Sequence, residues 1–203
     1  MDFLQTLGLA AGAAWLSGIR LYALVSILGL LARFGSLHLP QSLSILESPW
    51  VIGVSSALFL IEFVADKVPA IDSAWDAVHT FIRIPAGAVL AAGAFGDYDP
   101  VVKVVAGLLG GSLAFGSHAT KATTRAAVNT SPEPVSNFVV STAEDVYAIG
   151  STFAAAFAPV LILIIVGIGV LIAIFMLPRL IRLAKRLFRR DPGKSPIPPQ
   201  SKG

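Results

Sequence analysis

The chain has 203 residues, of which 55% are hydrophobic and 13% are charged, and its mean hydropathy is +0.79. Soluble domains average about 25% charged residues and about 45–50% apolar ones. This composition excludes an ordinary soluble domain and predicts an all-α, polytopic membrane protein with room for roughly four to six crossings. The absence of cysteine excludes disulfides, thiolate nucleophiles, Fe–S clusters and Cys-zinc sites.

Apolar stretches follow one another along the chain and predict about five membrane segments. In chain order they cover 4–31, 50–65, 70–95, 101–115 and 146–177. As one straight helix the last would be about 48 Å long, which exceeds the roughly 30 Å hydrocarbon core. We therefore predict a discontinuous last helix, divided at Pro159.

Positive charge is concentrated at the C-terminal end. Residues 179–203 contain eight Lys or Arg and one Asp, net +7, whereas residues 1–178 contain seven Lys or Arg and eleven Asp or Glu, net −4. We predict a single transmembrane helical domain over 1–178, a basic amphipathic helix over 179–190 that lies on anionic lipid or simply anchors the topology, and a disordered tail over 191–203. The positive-inside rule places the C-terminus in the cytoplasm, and five crossings then place the N-terminus outside.

A shift of 98 residues aligns parts of the two halves of the chain. It superimposes several glycines and sets Arg20 opposite His118. The alignment predicts an inverted repeat over 8–65 and 106–163, an arrangement that secondary transporters use around a site near the midplane. Because glycine contributes 18 of the 203 residues, chance alignment is the alternative.

Arg20 lies near the centre of the first apolar stretch. A central Arg costs about 2.5–3.5 kcal/mol on insertion scales and normally faces a bundle interior or a watery cavity. Since a guanidinium keeps its proton, it needs a carboxylate, a carbonyl cluster or an anionic ligand. Glu62 and Asp66, one turn apart at the end of the second stretch, are the candidate partners. Two interpretations are open: an internal ion pair that fixes helix packing, or an anion or proton site.

A cationic stripe follows the fourth apolar stretch. His118, Lys121 and Arg125 have the i, i+3, i+7 spacing that places them on one helix face. Three such groups suit a phosphate or carboxylate, to which Arg offers a planar fork and Lys a point charge. The alternative is a set of side chains that extend from the membrane border into the headgroup layer.

A second polar cluster begins the third segment. Asp72, Asp76 and His79 have the i, i+4, i+7 spacing of one helix face, with Arg83 beside them. Two carboxylates and one imidazole form an incomplete set of metal ligands. We therefore expect a solvated helix face on which Arg83 balances the acids, and no metal site.

Three runs resemble a known family: GLAAGAAWLSGIRLYA, EFVADKVPAIDSAWDAVHTFIR and HATKATTRAAVNTSPEPVSNFVVSTAED. They are similar to the bacterial membrane family catalogued as domain of unknown function 4126, over roughly residues 5–175. The resemblance implies a small multi-pass protein of a bacterial inner membrane and supplies no substrate or activity. The positions that match the polar runs of the family are Arg20, Asp66, Lys67, Asp72, Asp76, His79, Arg83, His118, Lys121, Arg125, Glu133, Asn137, Glu144 and Asp145. Of these, Glu133, Asn137, Glu144 and Asp145 join the second polar cluster as secondary candidate site residues.

These features favour a small transporter or flippase for an anionic small molecule or a phosphate-bearing lipid headgroup. Arg20 and His118 would bind the anion, and Glu62 and Asp66 would pair with Arg20 when the site is empty. The alternative is a structural or accessory membrane subunit without its own ligand. An intramembrane lipid-headgroup enzyme is less favoured, because the sequence has no recognisable nucleophile or complete ligand set.

The remaining expectations concern cofactors and partners. We expect no enzymatic activity and no cofactor, since the sequence lacks the usual catalytic and nucleotide-binding motifs. Lipid is the expected partner, with anionic lipid at the basic tail, and nucleic acid is not expected. Self-association into a homo-oligomer is left open.

Overall fold

The protein is all-helical in a computed structural model that describes residues 1–129 and 134–188. No strand occurs in these two ranges, which confirms the predicted fold class. Glu133 and residues 189–203, including the predicted disordered tail, lie outside them. The α-helices are α1 (Phe3–Arg33), α2 (Pro49–Ala65), α3 (Pro69–Ala94), α4 (Pro100–Asn129), α5 (Pro134–Phe157) and α6 (Pro159–Phe188), and a 3-10 helix (Gln41–Glu47) lies between α1 and α2.

Four helices of the described residues are long and apolar enough to cross a membrane. These spans are Phe3–Arg33, Ala74–Ala94, Pro100–Val128 and Pro159–Arg179. The 3-10 helix and α2, bent by 64° at their junction, make a fifth candidate if they are counted together. A multi-pass arrangement with four or five candidate spans is therefore confirmed.

The division of the last apolar stretch agrees with the prediction, but its start does not. The chain leaves the helix at Ala158, and Pro159 begins α6. A proline fits the first turn of a helix, where its missing N–H is not needed. We expected the segment to begin near Val146, whereas α5 begins at Pro134. In its first three turns the buried side chains are the polar Asn137, Ser141 and Asp145, whereas Val135, Phe138 and Val139 are exposed, so an apolar run does not mark this start.

Most of α1 is buried, because α1 packs against each of the other five α-helices. Its start is fixed by a capping box, in which the Gln5 backbone N–H donates to Asp2 Oδ1 at 2.7 Å and the Asp2 N–H donates to Gln5 Oε1 at 3.2 Å. Gly18 permits the closest approach to α4, since a Cβ there would collide with the backbone oxygen of Ala114. This contact agrees with the packing role expected of small residues in membrane helices.

The predicted inverted repeat is not confirmed. A shift of 98 residues maps α1 onto α4 to within two residues at each end. The same shift maps α2 onto 147–163, a range that crosses the break at Ala158. The two halves therefore share one helix position but differ in where the next helix is interrupted.

Candidate functional site

Charged side chains from α1 to α5 and from the α2–α3 turn meet inside the helix bundle. We call them the buried ion network, because ion pairs link each of them to another member. It joins members of three groups that lie in separate segments of the sequence: Arg20 with its two acids, the cationic stripe and the second polar cluster. Its members are Arg20, Glu62, Asp66, Lys67, Asp72, Asp76, Arg83, Lys121, Arg125, Glu144 and Asp145.

Arg20 occupies a break in α1. Its φ of −145° and ψ of 67° are not helical, although helix continues on both sides, and the residue is 0% exposed. Its Nη1 pairs closely with Asp66 and lies 3.5 Å from Glu62 Oε1. The predicted pairing of Arg20 with these two acids is thus present.

The other side of the Arg20 guanidinium faces α5. Nη2 lies 2.8 Å from Asp145 Oδ1 and 3.9 Å from Glu144 Oε2, and it donates to the Ser141 carbonyl at 3.4 Å. One guanidinium therefore joins carboxylates of α5 to carboxylates at the end of α2.

Side chains of α4 bind the backbone of α1 next to this break. Lys121 Nζ donates to the Ile19 carbonyl at 3.3 Å, and His118 Nδ1 lies 3.2 Å from the Gly18 carbonyl oxygen. Carbonyls that leave the regular helical pattern need new partners in a membrane, and neighbouring helices usually supply them. The cationic stripe of α4 therefore holds the broken helix in place.

Arg83 and Lys121 share a second set of carboxylates. Arg83 pairs closely with Glu62 through Nη2 and donates to Asp76 Oδ1 at 2.6 Å through Nη1. Lys121 Nζ lies 3.2 Å from Asp76 Oδ1 and 3.7 Å from Glu62 Oε1. Since Glu62 also faces Arg20, this carboxylate bridges cations from α1, α3 and α4.

Arg125 closes the network near the α2–α3 turn. It donates to Asp72 Oδ2 at 3.1 Å, to the Asp66 carbonyl at 2.6 Å and to the Asn137 carbonyl at 3.3 Å. The Asn137 amide also donates to the Asp66 carbonyl, at 3.1 Å. These contacts place Asn137, known before only from the family resemblance, beside the network.

Lys67 is the member that the candidate set missed. Its Nζ donates to Ser141 Oγ at 2.5 Å and to Asp145 Oδ2 at 3.1 Å, and it lies 4.0 Å from the Phe63 ring centroid. The resemblance had marked Lys67. A lysine in a turn between two apolar helices gives no local sign of a buried partner.

Two expectations about exposure are wrong. Asp72, Asp76 and Arg83 are not a solvated face, because they are 0%, 5% and 0% exposed. Lys121 and Arg125, at 5% and 2% exposed, do not extend to the headgroup layer either. The polar faces of α3 and α4 turn toward α1 and toward each other, and periodicity alone does not specify that direction.

The two histidines of the candidate set have different surroundings. His79 stacks on the Trp75 ring at 4.0 Å between centroids, and its Nδ1 lies 2.7 Å from the Trp75 carbonyl oxygen. His118 Nε2 lies 2.6 Å from the Thr80 hydroxyl. No group of three or more His, Asp or Glu that could hold a metal ion occurs in the part of the chain that the structure describes.

The charges of the network are not equal in number. Among the described residues it contains six carboxylates and five Lys or Arg, so its net charge is −1 when all are ionised. Glu144 has the weakest pairing, because its one ion-pair contact within the described residues is the 3.9 Å approach to Arg20. Its Oε2 accepts no hydrogen bond from the described residues. Burial of an ion costs several kcal/mol unless a counter-ion offsets it, so Glu144 is the least compensated acid.

Two cavities reach the network from opposite sides of α4. One, of about 200 Å³, lies between α3 and α4 and is lined by Asp72, Asp76, Ala77, Thr80, His118, Ala122, Arg125 and Ala126. The other, of about 340 Å³, lies between α1, α4 and α5, and we call it the lateral cavity. It is lined by Trp15, Ile19, Ser117, Thr120, Lys121, Thr124, Val140, Ala143, Glu144 and Tyr147.

The chain belongs to the family described as Domain of unknown function (DUF4126), whose model matches residues 7–179. The match confirms the resemblance. No curated protein and no solved structure matches the chain. The network is therefore interpreted from its own geometry.

Proposed function

We propose that the protein is a small membrane carrier, a transporter or flippase, for a substrate with an anionic group. The anionic group belongs to a small molecule or to a phosphate-bearing lipid headgroup, and Arg20 binds it. The observation that supports this most is the position of Arg20, fully buried at a break in a central helix. Transporters commonly place substrate sites at interrupted helices near the bilayer midplane.

The redundancy of the Arg20 contacts supports a site that rearranges. A purely structural arginine needs one well-placed partner, whereas Arg20 faces Glu62 and Asp66 on one side and Glu144 and Asp145 on the other. Replacement of a buried ion pair by apolar side chains is often neutral or stabilising. An ion network of this size is therefore poorly explained by stability alone.

Binding would proceed by exchange. The substrate anion replaces one carboxylate at Arg20, and the guanidinium keeps its planar, two-pronged pairing throughout. The released carboxylate must then be neutralised, because an unpaired charge in this interior is costly. A proton or a positive group on the substrate itself supplies the neutralisation.

The proposal includes the surroundings of the carrier. We place it in a bacterial inner membrane with a cytoplasmic C-terminus, with the basic segment after Arg179 on anionic lipid. Two oppositely oriented halves and a homo-oligomeric assembly remain part of the hypothesis. Neither a cofactor nor enzymatic activity is required for binding by exchange.

Arg20→Lys tests the proposal, since it keeps the charge and removes the guanidinium fork. We expect native mass spectrometry of the protein in lipid nanodiscs to show a bound species with an anionic group on the unmodified chain and its loss from the Arg20→Lys variant. Arg33→Lys is the matched control, because Arg33 is exposed at the end of the same helix. An identical ligand on both variants contradicts an anion site at Arg20.

One observation favours a second function, a structural or accessory subunit. Each of the five basic residues in the network already has a carboxylate within 4 Å, so none of them needs a ligand as its counter-ion. This alternative predicts a protein partner that co-purifies in mild detergent. It also predicts a melting temperature that does not change with phosphate or with anionic lipid.

A further inference from the structure

We propose that the lateral cavity binds the headgroup of a zwitterionic amphiphile, one that carries a phosphate and an ammonium group, and that Glu144 pairs with the ammonium. This inference rests on the proposed function and names its substrate class. It selects lipid-like molecules over soluble anions.

The shape of the cavity suits a molecule that enters from the side. Ala143 and Tyr147 line both the lateral cavity and a groove of about 500 Å³ on the outer face of α5. The groove continues along Phe138, Val139 and Val146, which are 55%, 58% and 69% exposed. An apolar path of this kind fits an acyl chain better than a hydrated ion.

One cation and one carboxylate, Lys121 and Glu144, line the inner end of the cavity, and Glu144 is the less closely paired of the two. Lys121 lines the cavity, but its ammonium group is held in the network by Asp76 at 3.2 Å and by the Ile19 carbonyl at 3.3 Å. The Glu144 side chain is 16% exposed, and its Oε2 accepts no hydrogen bond from the described residues. A positive group is therefore the complementary ligand at this point.

Aromatic walls add to this preference. The rings of Trp15 and Tyr147 both line the cavity and are joined by a 3.0 Å hydrogen bond from the indole N–H to the phenol oxygen. Aromatic faces attract ammonium groups, most strongly when water is excluded. Carboxylate and rings together form a site for an alkylammonium group.

The ammonium group of the zwitterion also neutralises the carboxylate that the substrate anion releases from Arg20. Glu144 lines the cavity and lies 3.9 Å from the guanidinium of the fully buried Arg20, so a headgroup that displaces the Glu144 carboxylate can reach both. The ammonium pairs with Glu144 as the phosphate takes its place beside Arg20. The headgroup is neutral as a whole, so its entry needs no proton.

Lipid competition on the full-length protein tests this inference. In native mass spectrometry with equal amounts of the two lipids, we expect the protein to retain zwitterionic phosphatidylethanolamine about tenfold more than anionic phosphatidylglycerol. Glu144→Gln is expected to remove this preference, because a hydrogen bond to an ionised group is lost. Glu47→Gln, the same chemical change outside the network, is the matched control and keeps it. Equal binding of the two lipids, or a preference unchanged in Glu144→Gln, overturns the inference.

A second variant leaves every charge in place. Ala143→Phe fills the junction of the cavity and groove, and we expect it to abolish lipid retention while inorganic phosphate still raises the melting temperature. Phosphate binding that depends on Arg20, without any lipid retention by the unmodified protein, overturns the lipid class and keeps the proposed function. If the unmodified protein neither retains lipid nor shows a higher melting temperature with phosphate, both proposals are contradicted.

Discussion

The two halves of α4 show how one helix serves two purposes. The first half packs through small residues, and Gly110 fits against Ala91 of α3 and the Gly87 carbonyl oxygen. The second half carries Lys121 and Arg125, which are equally buried but bind carboxylates of other helices. Burial alone thus does not distinguish packing from a polar site. What distinguishes the two halves of α4 is the kind of contact: a packing residue makes one close approach, whereas a residue of the polar site has several possible partners.

The largest expected loss of stability follows Arg20→Ala, which removes a central member of the buried ion network. Loss of the guanidinium leaves up to four carboxylates without a shared counter-ion, and we expect about 3–5 kcal/mol of destabilisation. Unfolding in a denaturing detergent titration measures it. Arg33→Ala, at an exposed site on the same helix, is expected to stay within about 0.5 kcal/mol. Equal effects of the two changes contradict the central place of Arg20 in the network.

The packing half is tested by Gly110→Leu. A Cβ at this position would already be within 2.8 Å of the Gly87 carbonyl oxygen, so the larger side chain forces α3 and α4 apart. We expect a loss of about 1–3 kcal/mol, the usual range for overpacking. Gly116→Leu is the matched control on the same helix, since a Cβ there meets no atom within 4 Å. A comparable loss in the control variant contradicts close packing as the cause, since helix propensity favours leucine over glycine at both positions.

The smallest effect is expected at the edge of the network, with Lys67→Met. The Lys67 side chain is 17% exposed and Asp145 keeps Arg20 as a second partner, so the change leaves that carboxylate paired. We expect about 1 kcal/mol or less by the same titration, as for ion pairs that water can reach. An effect as large as that of Arg20→Ala would contradict the view that Lys67 contributes less to the stability of the network than Arg20 does.

The helix positions were largely predictable because apolar runs and prolines act locally. The Pro159 break follows from helix length against membrane thickness, and the partners of Arg20 follow from the need of a buried guanidinium for acids. Both inferences use one segment or one charge at a time.

Local sequence patterns did not predict that the charged residues of five helices form one buried network. Amphipathic periodicity in α3 places Asp76 and Arg83 on a common side but does not reveal whether water or another helix covers it. Glu144 and Asp145 lie in α5, and only the tertiary fold brings them to Arg20. The direction in which a polar face points depends on neighbours far away in sequence.

The grip of α4 on the interrupted part of α1 has a mechanical consequence. Because Lys121 holds both the Ile19 carbonyl and the Asp76 carboxylate, any straightening or further bending of α1 at Arg20 pulls on the same ammonium that balances Asp76. The conformation of α1 at Arg20 and the ion pairing of Asp76 are therefore linked through one side chain. A ligand that alters the break in α1 at Arg20 therefore also alters the ion pairing of Asp76, and a ligand that alters the ion pairing also alters the break.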